Sequence, residues 1–194
     1  MSNQKSILLR LVESALMIAL ATVLSLIKLW TMPLGGAVTL LSMLPISLIA
    51  LRYGIPWGLV TAVLYGGIQL LLDLGTVMSW GLSATVLCGS IAFDYLIGFG
   101  VLGLSGIFRK KGQQGRLCGI SIAIFLRFVS SLVSGGVFFA EWMPENWSNA
   151  WLYSIAYNGA YMLPELILTV IGATALLAHP AVRSRILRES TVNS

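Results

Sequence analysis

The chain has 194 residues, of which 57% are hydrophobic and only 10% are charged. Soluble domains carry roughly 25% charged residues, so a chain this poor in charge cannot cover a soluble surface of its size. The composition predicts an integral membrane protein with a single domain, 1–194, in which the formal net charge of +5 reflects placement in a bilayer rather than binding to nucleic acid.

Six hydrophobic segments predict an all-α membrane protein, a bundle of six transmembrane helices. The six ranges expected to be helical are 7–27, 37–51, 56–72, 82–108, 117–140 and 150–177. A span needs roughly 20 residues, so the second and third segments are short and are expected to pack inside the bundle. No small-residue cleavage pattern follows the first segment, which indicates a retained helix rather than a signal peptide.

The basic residues predict the orientation of this bundle. With six spans, ten of the twelve Lys and Arg residues fall on one side of the membrane. They are Lys5, Arg10, Arg52, Arg109, Lys110, Lys111, Arg116, Arg183, Arg185 and Arg188. Cytoplasmic loops are enriched in Lys and Arg, so both termini are expected in the cytoplasm.

The opposite, outer side is acidic and aromatic. Its three loops are 28–36, 73–81 and 141–149, and they carry Asp73, Glu141 and Glu145 against a single lysine, Lys28. Five of the six tryptophans lie there: Trp30, Trp80, Trp142, Trp147 and Trp151. Ring faces and carboxylates both attract cations, so this side suits capture of a small cation from outside. The alternative is an ordinary belt of aromatic residues at the membrane boundary.

The range 138–165 is the strongest candidate for a binding region. A loop with two acids runs into a predicted helix that carries Tyr153, Tyr157, Asn158 and Tyr161. The tyrosines share one helix face, whereas Tyr153 and Asn158 lie about 140° apart on a regular helix. Both are expected to line one pocket only if the helix begins irregularly.

Three ionisable residues inside predicted spans stand out: Asp94 in the fourth, Arg127 in the fifth and Glu165 in the sixth. Such residues are costly in hydrocarbon and are functional candidates. Asp94 and Arg127 are expected at similar depth, where they can form an ion pair. That pair has two interpretations, one structural and one functional, and for Glu165 a hydrogen bond to a helix-end donor competes with a ligand role.

The sequence lacks the signatures of an enzyme or of a metal site. The one histidine, His179, precedes Pro180, and neither Cys88 nor Cys118 belongs to a CxxC pair. This argues against a zinc site or a histidine-based catalyst, so no metal or cofactor is expected. No Walker loop is present, so ATP-driven work would have to come from another subunit.

Several stretches resemble a known family, the thiamine-specific substrate-binding subunits (ThiT) of energy-coupling factor (ECF) transporters, a prokaryotic branch of the ABC transporters. The most specific is WLYSIAYNGAYMLPE; the others are MPLGGAVTL, FDYLIGF and FLRFVSSLVSGGVFF. The resemblance covers most of the chain. It implies capture of extracellular thiamine at a prokaryotic plasma membrane, with a coupling transmembrane protein and two ATPase subunits as partners.

The resemblance also implies roles for individual residues. Asp94 stands where the family has an acid facing the positive ligand, beside Tyr95, and Tyr153 and Asn158 match its ligand-contacting tyrosine and asparagine. Trp30 lies near the family's loop tryptophan. In the first segment the small residues Ala15 and Ala19 match the motif that docks on the coupling protein, while Val23 departs from the motif's third position.

Two departures bear on the ligand. Ser131 stands where the family usually has a histidine, and Phe139 where a tryptophan can occur, with Trp142 as a possible substitute. Two alternatives to thiamine capture therefore stay open. One is the same class of subunit with a thiamine precursor, an analogue or another vitamin as cargo. The other is a stand-alone proton-coupled carrier or membrane enzyme that uses Asp94, Arg127 and Glu165.

Overall fold

A computed structural model of the chain describes residues 3–33 and 35–187, so the predicted cytoplasmic Arg188 lies outside the described residues. Seven helices, a short 3₁₀ turn (Ala140–Trp142) and a two-stranded hairpin are present in the described residues. The helices are α1 (Asn3–Leu26), α2 (Met43–Tyr53), α3 (Ile55–Ser79), α4 (Ala84–Gly106), α5 (Gly112–Val137), α6 (Ala150–Ala178) and α7 (Pro180–Leu187). The strands are β1 (Lys28–Thr31) and β2 (Ala37–Thr39), which pair antiparallel.

Five of the described helices are long and apolar enough to cross a membrane: α1, α3, α4, α5 and α6. The chain is therefore a multi-pass helical membrane protein. The predicted count of six spans is not confirmed, because α2 has 11 residues. At 1.5 Å per residue it covers about 16 Å of a hydrocarbon core about 30 Å thick.

The predicted helix 37–51 begins too early. Ala37–Thr39 is a strand of the hairpin, and α2 begins only at Met43, after Leu41 adopts a positive φ of 61°. Gly35, at φ +88°, helps to reverse the chain between the two strands, a conformation that glycine adopts without steric cost. A short apolar run reads equally well as a strand or a helix, which explains the error.

The predicted helix 56–72 ends too early. Helix α3 continues to Ser79, so Asp73 lies on the helix rather than in a loop. Its Oδ2 accepts a hydrogen bond from the Tyr95 hydroxyl at 3.1 Å. This hydrogen bond stabilises the charged Asp73 side chain within the helix, whereas the composition of the sequence predicts that the helix ends before this residue.

Helix α4 is irregular where it passes the centre of the molecule. Residues Ile91–Ile97 form a π-helical stretch, and Val101–Gly106 form a 3₁₀ turn. Single π-helical turns are frequent at functional sites, and this one contains Asp94 and Tyr95.

Helices α5 and α6 pack closely through small residues. A Cβ on Gly135 would lie 2.3 Å from the Ser154 hydroxyl oxygen, and one on Gly136 would lie 2.6 Å from the Trp151 ring. No larger side chain fits at either position without a shift. These two glycines therefore allow α5 and α6 to approach each other closely.

Candidate ligand-binding cavity

A cavity of about 230 Å³ lies between the hairpin and helices α1 to α6. Six of the predicted site residues line it: Asp94, Tyr95, Ser131, Phe139, Tyr153 and Asn158. Trp30 and Trp142 are not among its lining residues and are 50% and 40% exposed. The structure thus brings six predicted residues together and leaves the two tryptophans apart from them.

Asp94 is held by hydroxyl groups of two helices. Its Oδ2 accepts hydrogen bonds from Ser90 on α4 at 3.2 Å and from Ser134 on α5 at 2.5 Å. The π-helical turn itself is fixed to α5, because the Ser130 hydroxyl donates to the Phe93 carbonyl at 2.5 Å. These bonds hold a carboxylate in the cavity wall without neutralising its charge.

The predicted ion pair between Asp94 and Arg127 is wrong. Among residues 3–33 and 35–187, the salt bridge found joins Arg52 and Glu13, whereas Asp94 is bonded to serines. The Arg127 guanidinium instead lies 3.5 Å from the centroid of the Phe99 ring. On α5, Arg127 lies seven residues, or about 10 Å, below Ser134, which accounts for the separation.

Asn158 is buried in a network that joins α5 and α6. Its amide nitrogen donates to the carbonyls of Ser131 at 3.3 Å and of Ser154 at 2.9 Å. Its amide oxygen accepts from the Tyr161 hydroxyl at 2.8 Å. These bonds fix the lower wall of the cavity and the orientation of the Tyr161 ring.

Tyr153 and Asn158 both line the cavity although α6 is helical from Ala150, so the expected irregular start is wrong. The cavity is wide enough to be bordered by two adjacent faces of α6. Tyr153, Tyr157 and Tyr161 form the predicted stripe, with neighbouring ring centroids 5.8 and 6.0 Å apart.

The tip of the hairpin lies over the tyrosine stripe. The Gly36 amide donates to the Tyr157 hydroxyl at 3.2 Å, and a Cβ on Gly36 would lie 2.8 Å from the Tyr161 ring. Only glycine allows so close an approach. The hairpin therefore covers one side of the cavity.

The base of the hairpin is anchored on Glu165. Glu165 Oε1 accepts hydrogen bonds from both the backbone amide and the hydroxyl of Thr39, the latter at 2.6 Å. The donor is thus a strand residue rather than the expected helix end. Glu165 is 1% exposed and also lines the cavity, so anchoring the hairpin does not remove it from the site.

Sequence reasoning missed several residues of the cavity wall, and two of them are Trp80 and Asp73. Trp80 lies edge-on to Phe139, with centroids 6.1 Å apart, and Asp73 lies in the wall beside Tyr95. The sequence places both in an outer loop with acids and aromatic rings, and that placement is the signal that could have identified them. The loop acids Glu141 and Glu145 are exposed and do not line the cavity.

The lining has a net negative formal charge. Its acids are Asp73, Asp94 and Glu165, and its cations are Lys28 and Arg127, which leaves −1. No group of three His, Cys, Asp or Glu suited to a metal ion occurs in the described part of the chain. The arrangement can accept one small monocation against aromatic walls.

Comparisons with known proteins show the family of the chain. The family model described as thiamine transporter protein (Thia_YuaJ) matches residues 11–183. The chain is 32% identical over 183 residues to thiamine transporter ThiT of Bacillus subtilis strain 168, which covers 87% of this chain and 90% of that protein. It is 26% identical over 155 residues to thiamine transporter ThiT of Lacticaseibacillus paracasei strain ATCC 334, covering 70% of each.

A solved structure of ThiT from Listeria monocytogenes is similar in fold. The TM-score is 0.72 at 25% identity, with 91% of this chain and 98% of that chain covered. The family match, the 32% identical relative and the shared fold each extend over most of the sequence. The chain therefore belongs to the thiamine transporter protein family and is a transport protein rather than an enzyme.

Proposed function

We propose that this chain is the substrate-binding membrane subunit of an ECF-type ABC transporter and captures extracellular thiamine for ATP-driven uptake. The observation that carries the proposal is the position of Asp94, a carboxylate held by two serines in the wall of a cavity with a net charge of −1. Thiamine is named for relatives that match most of the chain.

The chemistry of thiamine suits this cavity. Its thiazolium ring is a permanent cation and its second ring is an aromatic aminopyrimidine. A cation near a carboxylate gains about 4 kcal/mol at 4 Å in a partly screened environment, and each aromatic face adds about 0.5–2 kcal/mol. Trp80, Phe139 and Tyr153 supply such faces.

The distribution of the basic residues between the two ends of the bundle supports entry of the ligand from outside the cell. The cations of the loop between α4 and α5 lie at the opposite end of the bundle from the hairpin. With the basic end in the cytoplasm of a prokaryotic cell, the hairpin and the cavity mouth face the exterior. The ligand then enters beneath the hairpin. The binding step is complete when the hairpin closes and the Gly36 amide again donates its hydrogen bond to the Tyr157 hydroxyl.

Uptake requires partners that supply energy. The sequence carries no nucleotide-binding motif. In this proposal two ATPase subunits hydrolyse ATP, and a coupling transmembrane protein connects them to this chain. Ala15 and Ala19 are exposed along α1, where small side chains allow another helix to approach closely. That face is the proposed contact with the coupling protein.

Tryptophan fluorescence tests the binding step. Trp80 lines the cavity, so saturable quenching by thiamine is expected for the purified chain. Competition by an uncharged thiamine analogue should be much weaker. A response to neutral solutes with none to thiamine would reject a cation site.

A second cargo has one observation in its favour, the serine at position 131. Ser131 lines the cavity and is 5% exposed, yet it cannot stack on a ligand ring. If thiamine is the cargo, Ser131→His should raise its affinity about fivefold, equivalent to about 1 kcal/mol of ring interaction. A panel of thiamine precursors and analogues, titrated on both forms, provides the measurement. Weaker thiamine binding in the histidine form, with a precursor preferred by the serine form, would favour the alternative cargo.

The docking face of α1 is tested by a bulky substitution. Ala15→Trp should abolish co-purification with the coupling protein while thiamine affinity stays unchanged, because Ala15 lies outside the cavity. Leu71→Trp is the matched control, since Leu71 is 70% exposed on α3. Loss of the complex in both variants, or in neither, would contradict the assignment of this face.

A further inference from the structure

A second cavity, of about 380 Å³, lies where α3 begins and α4 ends. It is separated from the thiamine cavity by the first ten residues of α3, about 15 Å between Ile55 and Tyr65, the first residue of that helix to line the thiamine cavity. Three consecutive cations, Arg109, Lys110 and Lys111, line it from the connection between α4 and α5. Thiamine binding in the first cavity, as proposed above, does not involve this second cavity.

The backbone of this connection is fixed, so the three cations do not sit on a loose loop. The Arg109 amide donates to the Gly106 carbonyl at 3.2 Å, and the Lys111 amide donates to the Phe108 carbonyl at 2.9 Å. Gly112 then takes a φ of +70° and α5 begins. The turn therefore presents consecutive basic side chains around one concave surface.

Arg109 is oriented by backbone groups. Its Nη1 donates to the Arg52 carbonyl at 3.0 Å, and its guanidinium packs on Gly54, where a Cβ would lie only 3.3 Å away. Arg116 supports the same turn by donating from Nε to the Arg109 carbonyl at 3.0 Å. Carbonyl oxygens orient these cations but do not neutralise them.

In the described residues, no carboxylate forms a salt bridge with Arg109, Lys110 or Lys111. Glu13, an acid of α1, is bonded to Arg52 at 2.7 Å. Uncompensated cations around a concave surface attract an anion, and juxtamembrane basic residues gain about 1 kcal/mol each from acidic lipid. The charge of the cavity thus selects an anionic group.

The remaining wall of the cavity is apolar. Ile55, Pro56, Ile107 and Phe108 form it, and Ile107 is 48% exposed. One helical turn further along α3, Val60 is 60% exposed and continues this apolar surface toward the hydrocarbon. A free phosphate would use the cations but not this wall, whereas an acyl chain fits it.

We infer that this cavity binds the phosphate headgroup of an anionic phospholipid, with Arg109, Lys110 and Lys111 around the phosphate and the acyl chains along Ile107 and Val60. The site is independent of the thiamine cavity. Basic residues that only set the orientation of a protein in the membrane need to lie on its cytoplasmic side. They do not need an arginine held in one orientation inside a cavity with an apolar wall.

Native mass spectrometry of the full chain, released from mixed phosphatidylcholine and phosphatidylglycerol, tests the inference. The unmodified chain should retain one phosphatidylglycerol in preference to phosphatidylcholine. Lys110→Gln/Lys111→Gln should weaken that retention about thirtyfold, from about 1 kcal/mol per lysine. The control is Arg183→Gln/Arg185→Gln, which removes the same charge from exposed positions on α7 and should change retention less than about threefold.

Any one of the following results would overturn the inference. They are equal retention of the two lipids, an equal loss in the control, and displacement of the lipid by inorganic phosphate at matched concentration, which would identify a free-phosphate site. Retention of an acidic protein segment in place of lipid would likewise overturn it. Thiamine quenching in the same samples serves as the folding control and should be unchanged in both double variants.

Discussion

Asp94→Asn should raise the Kd for thiamine roughly 150-fold, which corresponds to about 3 kcal/mol, while the fold is retained. The substitution removes the carboxylate that we propose faces the cationic ring of thiamine, and losing one partner of a close charge pair costs about 2–5 kcal/mol. An asparagine side chain can still accept hydrogen bonds from Ser90 and Ser134, so the π-helical turn should persist. Quenching titrations on the purified variant measure the change.

The matched control for this variant is Glu141→Gln. It makes the same change in charge at an exposed acid that lies outside the cavity, so its effect on affinity should stay within about twofold. Equal losses in the two variants would show that general electrostatic attraction, rather than a site at Asp94, governs binding. An unchanged Kd for Asp94→Asn would remove the carboxylate from the site altogether.

Thr39→Val should speed thiamine release about thirtyfold, equivalent to about 2 kcal/mol. Valine matches the shape of threonine but cannot donate to Glu165, so a buried carboxylate loses one of the hydrogen bonds that hold the hairpin in place. The backbone amide bond to Glu165 is retained, and the charge of the cavity is unchanged. Stopped-flow fluorescence after dilution of the complex measures the dissociation rate.

Thr39→Ser serves as the control, because serine keeps the hydroxyl and should release thiamine within about threefold of the unmodified rate. If valine and serine behave alike, the bond to Glu165 does not retain the ligand. A slower association without faster release would indicate that the hairpin shapes the entrance rather than closing it.

The spanning helices were predictable because each carries a long apolar run, and hydrocarbon tolerates only backbone that satisfies its own hydrogen bonds. Helices α1, α5 and α6 begin and end within a few residues of the predicted positions. The hairpin was not predictable, since Ala37–Thr39 is too short and apolar for its period to separate strand from helix. Its identity as a strand depends on pairing with β1 across a glycine turn.

The cavity was predictable in part. Asp94, Ser131 and Phe139 were identified from motif position, and they line the cavity together. The hydrogen-bonding and stacking partners of the charged residues were not predictable, because they depend on how each helix is rotated about its own axis. The π-helical turn directs Asp94 toward Ser134, while Arg127 stacks on Phe99, and neither result follows from spacing along the chain.

Trp80 shows the same limit. Its place in the sequence puts it on the acidic, aromatic outer side, but does not distinguish a residue that meets the ligand from an ordinary tryptophan at the membrane boundary. It faces the cavity because α3 extends beyond Asp73 and brings the ring against Phe139. Helix length, rather than residue type, decided between a boundary tryptophan and a wall of the site.

The most direct measurement is the mass of the small molecule that co-purifies with the chain from cells supplied with thiamine. We expect one thiamine per chain from the unmodified protein and none from the Asp94→Asn form. A neutral compound in its place, or equal thiamine in both forms, would contradict capture of a cation at this carboxylate.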